Sequence, residues 1–169
     1  MTDPLRNGPQ DPEPVDPDVP LEPPVSRAGT LAGYGAVAAG GALGALARFG
    51  AGRLWPTAPG AFPWTTLAVN AVGCLLIGCL LVAATELWSA RPLLRPFAGT
   101  GLLGGFTTFS TYAVDARGLF ADGSAWAGLG VLAGTVAAAL IAVTVGAWGA
   151  RRALRPVLAR RAMRAKERR

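Results

Sequence analysis

The sequence has no histidine and only two cysteines among its 169 residues. These cysteines, Cys74 and Cys79, lie five positions apart within one apolar segment. Five residues turn an α-helix by roughly 500°, so the two side chains diverge. We therefore expect neither a disulfide bond nor a metal site between them. Both are expected to be small apolar residues that pack inside the protein.

Acidic residues, lysine and histidine are also missing from the central parts of the apolar segments. Proton-coupled pumps and cation transporters generally need an ionisable group inside the membrane to carry or balance charge. This absence disfavours a small four-helix dimeric antiporter of drugs or cations, which would need a carboxylate in the middle of a span. A non-transporting membrane scaffold is a second alternative.

Apolar residues dominate what is present. They make up 51% of the chain, and the mean hydropathy is +0.38. The chain is too apolar for a typical soluble domain and too short for a large transporter. The formal net charge is +6, but nine of the sixteen basic residues follow Trp148. A basic tail after a membrane span indicates a membrane-surface anchor, and we expect no nucleic-acid partner.

The apolar residues fall into four segments that predict an all-α membrane protein with four transmembrane helices. The predicted spans are Leu31 to about Phe49, Thr65–Trp88, about Leu93 to Phe120, and Ala125–Trp148. We divide the chain into a disordered Pro-rich acidic leader (residues 1–28), a membrane domain (29–150) and a basic tail (151–169). Small residues four apart in the first span, Ala36, Gly40 and Gly44, predict close helix packing. Gly130 and Gly134 predict the same for the fourth span.

The third span contains an unusual stretch, Gly99–Tyr112, in which a glycine pair precedes four hydroxyl residues and three aromatic rings. Such a stretch predicts a helix that is broken in the middle of the membrane. A break at that depth survives only where protein or a cavity satisfies the backbone, so we expect it to face inward and to be functional. Uncharged donors suit a small ion stripped of water. The residues alone leave the sign of that ion open, because ring edges favour anions and ring faces favour cations.

Three further polar features carry alternatives. Asn70, inside the second span, is either a hydrogen-bonding contact between helices or a donor to an ion. Arg48 is either a functional residue or an anchor that reaches the membrane interface. Thr135 and Thr144 lie nine positions apart and face opposite ways, so at most one of them lines a shared path.

Three motifs in this order across four spans closely resemble the fluoride channels called Fluc or CrcB. The motifs are Gly40-Gly-Ala-Leu-Gly-Ala-Leu-Ala-Arg-Phe49, Trp64-Thr-Thr-Leu-Ala-Val-Asn-Ala-Val-Gly73 and Gly104-Gly-Phe-Thr-Thr-Phe-Ser-Thr-Tyr112. The resemblance covers roughly Leu31–Arg151. It implies a passive fluoride exporter, not an enzyme, built as an antiparallel dimer with two narrow pores at the subunit interface.

The resemblance also implies roles for individual residues. Asn70, Phe109 and Tyr112 match the pore asparagine and the pore aromatic pair of the family. The backbone carbonyls of Gly104 and Thr107 match the positions that hold a structural, non-transported sodium ion. The remaining implied positions are a polar track of Thr108, Ser110 and Thr111 and a structural arginine, Arg48. Tyr112 and Asp115 depart from the family pattern, where Phe and Glu are usual, so the pore geometry at Tyr112 is open.

Charge distribution predicts the orientation in the cell membrane. With four spans, both tails share one side with the loop between the second and third spans. That side carries Arg6, Arg27, Arg91, Arg95 and the nine basic residues of the tail, whereas the other side carries Arg48, Arg53 and Arg117. The positive-inside rule predicts cytoplasmic termini. In an antiparallel homodimer each chain must insert in both orientations, which this imbalance of charge hinders. We therefore expect either a heterodimer with an oppositely oriented homologue or, if the distal charges of the tail matter little, a homodimer.

Overall fold

The computed structural model describes residues 27–86 and 92–167, and every regular element in these two ranges is helical. The predicted leader, residues 1–28, lies outside this part except for its last two residues. Trp88 and Arg91 also lie outside it. The elements are α1 (Arg27–Leu54), α2 (Trp64–Glu86), a π-helix (Pro96–Leu103), α3 (Gly104–Phe106), α4 (Ser110–Ala121) and α5 (Ala125–Glu167).

Three of the described helices are long and apolar enough to cross a membrane. They are α1, α2 and the Ala125–Pro156 part of α5. The described part of the chain is therefore all-helical and contains three helices that are able to span a membrane. The fourth span was predicted as Ala125–Trp148, and the helix that contains it, α5, runs on to Glu167 and is 43 residues long. The basic tail is thus largely a continuation of this helix, because its Arg-, Ala- and Leu-rich sequence favours helix formation.

The third predicted span is made of several shorter elements. The π-helix begins at Pro96, and the Gly104 N–H donates to the Gly99 carbonyl in the wide-turn pattern of this helix. Helical geometry continues through Gly104 and Gly105 and ends at Phe106. Thr107 is extended, with φ −77° and ψ 159°, and α4 begins at Ser110. The interruption therefore follows the glycine pair instead of coinciding with it.

Glycines set how closely the helices approach one another. α1 packs against the π-helix and α3, and α2 packs mainly against α5. A Cβ at Gly44 would overlap the Leu102 carbonyl oxygen and lie 2.7 Å from the Phe106 nitrogen. Between α2 and α5, a Cβ at Gly78 would overlap the Val143 carbonyl oxygen, and one at Gly146 would overlap that of Leu75. These glycines place backbone directly against backbone.

Within the single chain, Gly130 and Gly134 do not make the close helix packing that their spacing predicted. A Cβ added at Gly130 would lie 3.7 Å from the Phe62 side chain, and one added at Gly134 would lie 4.0 Å from the Leu67 side chain. Both distances are ordinary van der Waals contacts. Gly146, further along α5, makes the tight contact instead. The two cysteines are free thiols, and both are half-buried.

Candidate functional site

The site is centred on the main chain of Thr108, which lies in the interruption between α3 and α4. The Asn70 side chain of α2 binds this residue twice. Its Nδ2 donates to the Thr108 carbonyl oxygen at 2.9 Å, and its Oδ1 accepts from the Thr108 N–H at 2.8 Å. Asn70 is 6% exposed. The two bonds fix the orientation of the amide, since a flipped group would oppose donor to donor and acceptor to acceptor.

The Thr108 side chain performs a second task at the same point. Its hydroxyl accepts from the Thr111 N–H at 3.1 Å and donates to the Thr111 hydroxyl at 3.0 Å. It thereby satisfies an amide in the first turn of α4 from the residue before the N-cap, Phe109, because the first amides of a helix have no partner within it. The Ser110 hydroxyl is 3.4 Å from the same oxygen. The predicted polar track of Thr108, Ser110 and Thr111 therefore forms one cluster of hydroxyls.

Two backbone carbonyl groups near the end of α3 accept hydrogen bonds from different parts of the chain. Both the N–H and the hydroxyl of Thr107 donate to the Leu103 carbonyl oxygen, at 3.0 and 2.9 Å. The Arg48 Nε of α1 donates to the Gly105 carbonyl oxygen at 3.2 Å. Arg48 thus binds the main chain beside the interruption. Within the described part of the chain, the carbonyl groups of Gly104 and Thr107 accept none of these bonds.

The aromatic pair lies on the α4 side of the interruption. The rings of Phe109 and Tyr112 are 5.0 Å apart between centroids and inclined at 84°, so the edge of one ring meets the face of the other. Tyr112 packs against a small core of Ala116, Leu119 and Val131. Phe109 is 76% exposed on the single chain. One ring is therefore fixed by the core, whereas the other projects from the surface.

A cleft of about 270 Å³ brings these groups together. It is lined by Asn70, Cys74, Thr107, Thr108, Phe109, Tyr112, Thr135, Val136 and Ala139. Thr135 is only 6% exposed, and its hydroxyl has no hydrogen-bond partner in the described part of the chain. Thr144 instead donates to the Leu140 carbonyl of its own helix, on an exposed face. The nine-residue spacing predicted that at most one of these threonines lines a shared path, but it could not select Thr135.

A second cavity of about 250 Å³ adjoins the first, and Thr108 lines both. Its polar lining consists of Arg48, Arg53, Thr65, Thr66, Thr108 and Thr111. At its edge the Thr66 hydroxyl donates to an Asp115 carboxylate oxygen at 2.7 Å. Sequence reasoning had not singled out Arg53, Thr65 or Thr66 as site residues. Their signal was their position at the facing ends of α1 and α2, where a tight Pro-rich turn brings the two helix ends together.

The chain is similar to known proteins over its helical part. The family model described as "CrcB-like protein, Camphor Resistance (CrcB)" matches residues 35–147. The chain is 60% identical over 119 residues to "Fluoride-specific ion channel FluC 1" of Streptomyces coelicolor, covering 70% of this chain and 77% of that protein. It is 54% identical over 116 residues to "Fluoride-specific ion channel FluC 2" of Nocardia farcinica, covering 69% and 83%.

A more distant relative has the same name without a number. "Fluoride-specific ion channel FluC" of Rhizobium etli is 45% identical over 111 residues, covering 65% of this chain and 89% of that protein. The region that the family model matches runs from α1 into the membrane-crossing part of α5 and so includes every residue of the two cavities. This chain belongs to the CrcB-like family.

Proposed function

We propose that the protein is a passive, fluoride-selective channel that exports cytoplasmic fluoride, lowers its toxicity and catalyses no reaction. The names of its curated relatives support this substrate. The observation that carries the proposal is the cleft beside Thr108, which offers several neutral donors and no formally charged side chain. A conducting site must replace hydration and still release the ion, and neutral donors provide that balance.

In this proposal the ion moves past hydroxyl and amide donors from one cavity to the next. The Thr135 hydroxyl can donate a hydrogen bond to fluoride. A buried hydroxyl without a partner destabilises the protein unless an ion or water accepts a hydrogen bond from it. The second amide proton of Asn70 is also available, since only one Nδ2 proton is needed for the Thr108 carbonyl. The positive edges of the Phe109 and Tyr112 rings complete the path.

We propose that residues 92–121 form the third of four crossings and that the interruption lies within the membrane. The position of Asn70 in the first third of the 23-residue α2 supports this depth. Backbone that leaves helical geometry in hydrocarbon needs internal partners. Asn70, Arg48 and the Thr108 hydroxyl supply such partners here.

We propose an antiparallel dimer as the functional unit. In one chain alone, Phe109 is 76% exposed and Gly104 is also exposed, beside backbone that could not face lipid without cost. A second chain on this face would shield the interruption and complete a pore at the interface. The partner is either a second copy or an oppositely oriented homologue. The positive-inside rule places both termini in the cytoplasm. If labelling of the tails of this chain, expressed alone, found both orientations equally populated, the argument for an oppositely oriented homologue would be removed.

A structural sodium ion fits the same face. The Gly104 and Thr107 carbonyl groups accept none of the hydrogen bonds around the interruption in the described chain. Freed carbonyls at a broken helix are ligands that sodium accepts. We propose that these two groups hold the ion, which would stabilise the interruption and would not be transported.

Fluoride efflux from vesicles that contain the purified chain tests the proposal, with a fluoride electrode as the detector. We expect Phe109→Ala to abolish efflux while the protein stays folded and dimeric, because the exposed ring is lost from the path. Tyr34→Ala is the matched control, since Tyr34 is comparably exposed and lines neither cavity. Unchanged efflux from the Phe109 variant would refute the pore role of this ring.

A further inference from the structure

The helix α5 extends well beyond the length that a membrane requires. Its apolar sequence ends at Ala150, just before Arg151, and the helix continues to Glu167. The residues after Pro156 add roughly 17 Å of helix at about 1.5 Å per residue. The proposed fluoride path does not involve this part of the chain. It is a separate feature that needs its own explanation.

The end of the chain is strongly basic. Glu167 is the one acidic residue after Trp148 in the sequence. The basic residues there are Arg151, Arg152, Arg155, Arg160, Arg161, Arg164, Lys166, Arg168 and Arg169. Such a run of charge favours a partner that is negatively charged.

Beyond Pro156 the arginine positions gather on one side of the helix. At about 100° per residue, positions 160, 161 and 164 fall within roughly 100° of the helix circumference. Positions 159, 162 and 163, which are Ala, Ala and Met, fall within a similar arc on the opposite side, which Lys166 shares, while Val157 falls within the arc of the arginines. A helix with a basic side and a less polar side is typical of a segment that lies on a membrane surface.

The helix reaches a membrane interface just before this segment. Trp148 is 64% exposed, and the guanidinium carbon of Arg152 lies 5.7 Å from the centroid of its ring. Tryptophan is enriched at the level of lipid headgroups, so the arginines begin at that level. Arg151, Arg152 and Arg155 are all exposed there.

Pro156 follows these residues directly. Proline has no N–H to donate to the carbonyl four residues earlier, here that of Arg152, and helices bend at such residues. A bend at this position would let the segment after Pro156 turn from the direction of the span toward the plane of the membrane.

We propose that residues 151–167 form a docking helix for anionic phospholipid headgroups. The arginines emerge at headgroup level, where anionic lipids are the charges within reach, and each basic residue near such a surface adds to the attraction. A nucleic acid would have to compete with these anionic lipids for the same arginines. The acidic leader of the same chain is the alternative partner, with six acidic residues in positions 1–28.

Hydrogen–deuterium exchange of the full chain in vesicles tests this proposal. Exchange of the backbone amides of residues 157–167 is measured in phosphatidylcholine vesicles and in vesicles with about one third phosphatidylglycerol. We expect exchange to be at least about fivefold slower with the anionic lipid, and we expect this protection to fall at high salt because screening shortens the reach of surface charge.

Two variants separate charge from helix stability. Arg160→Gln/Arg161→Gln/Arg164→Gln should lose the protection that depends on anionic lipid. The matched variant with Lys at the same three positions should keep it, because charge is retained. Equal exchange rates in the two membranes would overturn the proposal. So would protection in both membranes that disappears when residues 1–26 are deleted, because the leader would then be the partner.

Discussion

The double hydrogen bond between Asn70 and the Thr108 main chain can be tested by Asn70→Leu. Leucine has the same number and branching of side-chain heavy atoms, so the substitution removes the two hydrogen bonds without opening a large cavity. It leaves the half-buried Thr108 N–H and carbonyl without these partners. A fully buried unsatisfied polar group costs about 1–3 kcal/mol, and water in the adjoining cavities offsets part of this cost at Thr108. We therefore expect a loss of about 1–3 kcal/mol in the free energy of unfolding, together with a strong decrease in fluoride efflux.

Thermal unfolding in detergent measures the first effect, and vesicle efflux measures the second. Val82→Ala is the control, since Val82 is buried in the same helix but lines neither cavity near Thr108. It should destabilise the protein by about 1–3 kcal/mol through lost packing, yet preserve efflux. An Asn70→Leu protein that unfolds at the wild-type temperature would show that this contact does not hold the interruption in place.

Two further substitutions test the unpaired hydroxyl and the close helix packing. Thr135→Val should leave stability unchanged or raise it by up to about 2 kcal/mol, because it removes a buried hydroxyl that has no partner in the described structure, while efflux slows. Thr144→Val, which alters an exposed hydroxyl bonded within its own helix, should leave efflux unchanged, and equal rates for both variants would contradict this role. Gly44→Ala should destabilise the protein by more than about 2 kcal/mol, because its Cβ would overlap the Leu102 carbonyl. A Cβ at Gly50 would have no heavy atom within 4 Å beyond the neighbouring backbone of its own helix, so Gly50→Ala should not lower the free energy of unfolding. Similar melting temperatures of the two glycine variants would argue against tight packing of α1.

The sequence predicted the long helices because their apolar runs are long enough to cross a membrane. It also identified the stretch that contains the interruption, because hydroxyl and aromatic residues are unusual in a span. It did not locate the point at which helical geometry ends. Gly104 and Gly105 have low helix propensity, yet they remain helical in an element that packs against α1. Tertiary packing overrode local preference at these residues.

The partners of the polar residues could not be predicted, because they depend on contacts between distant parts of the chain. Asn70 and Thr108 are 38 positions apart, and Arg48 and Gly105 are 57 apart. The sequence left Asn70 open between a contact with another helix and an ion donor. The structure shows that Asn70 binds the main chain of Thr108 between α3 and α4, and the role of Asn70 as a donor to an ion stays a prediction. Thr135 was recognised as a polar residue, but its burial in the cleft depends on how α5 packs on α2.

The manner in which Asn70 holds residue 108 has a consequence for how this protein can vary. Every amino acid except proline offers the same peptide N–H and carbonyl. The two hydrogen bonds of Asn70 therefore do not depend on which side chain residue 108 carries. Serine or aspartate at position 108 could accept from the Thr111 N–H as threonine does. The lining of the two cavities can therefore change chemically while the architecture around it is kept. Proline, which lacks the N–H but keeps the carbonyl, is the one replacement that would remove one of the two hydrogen bonds.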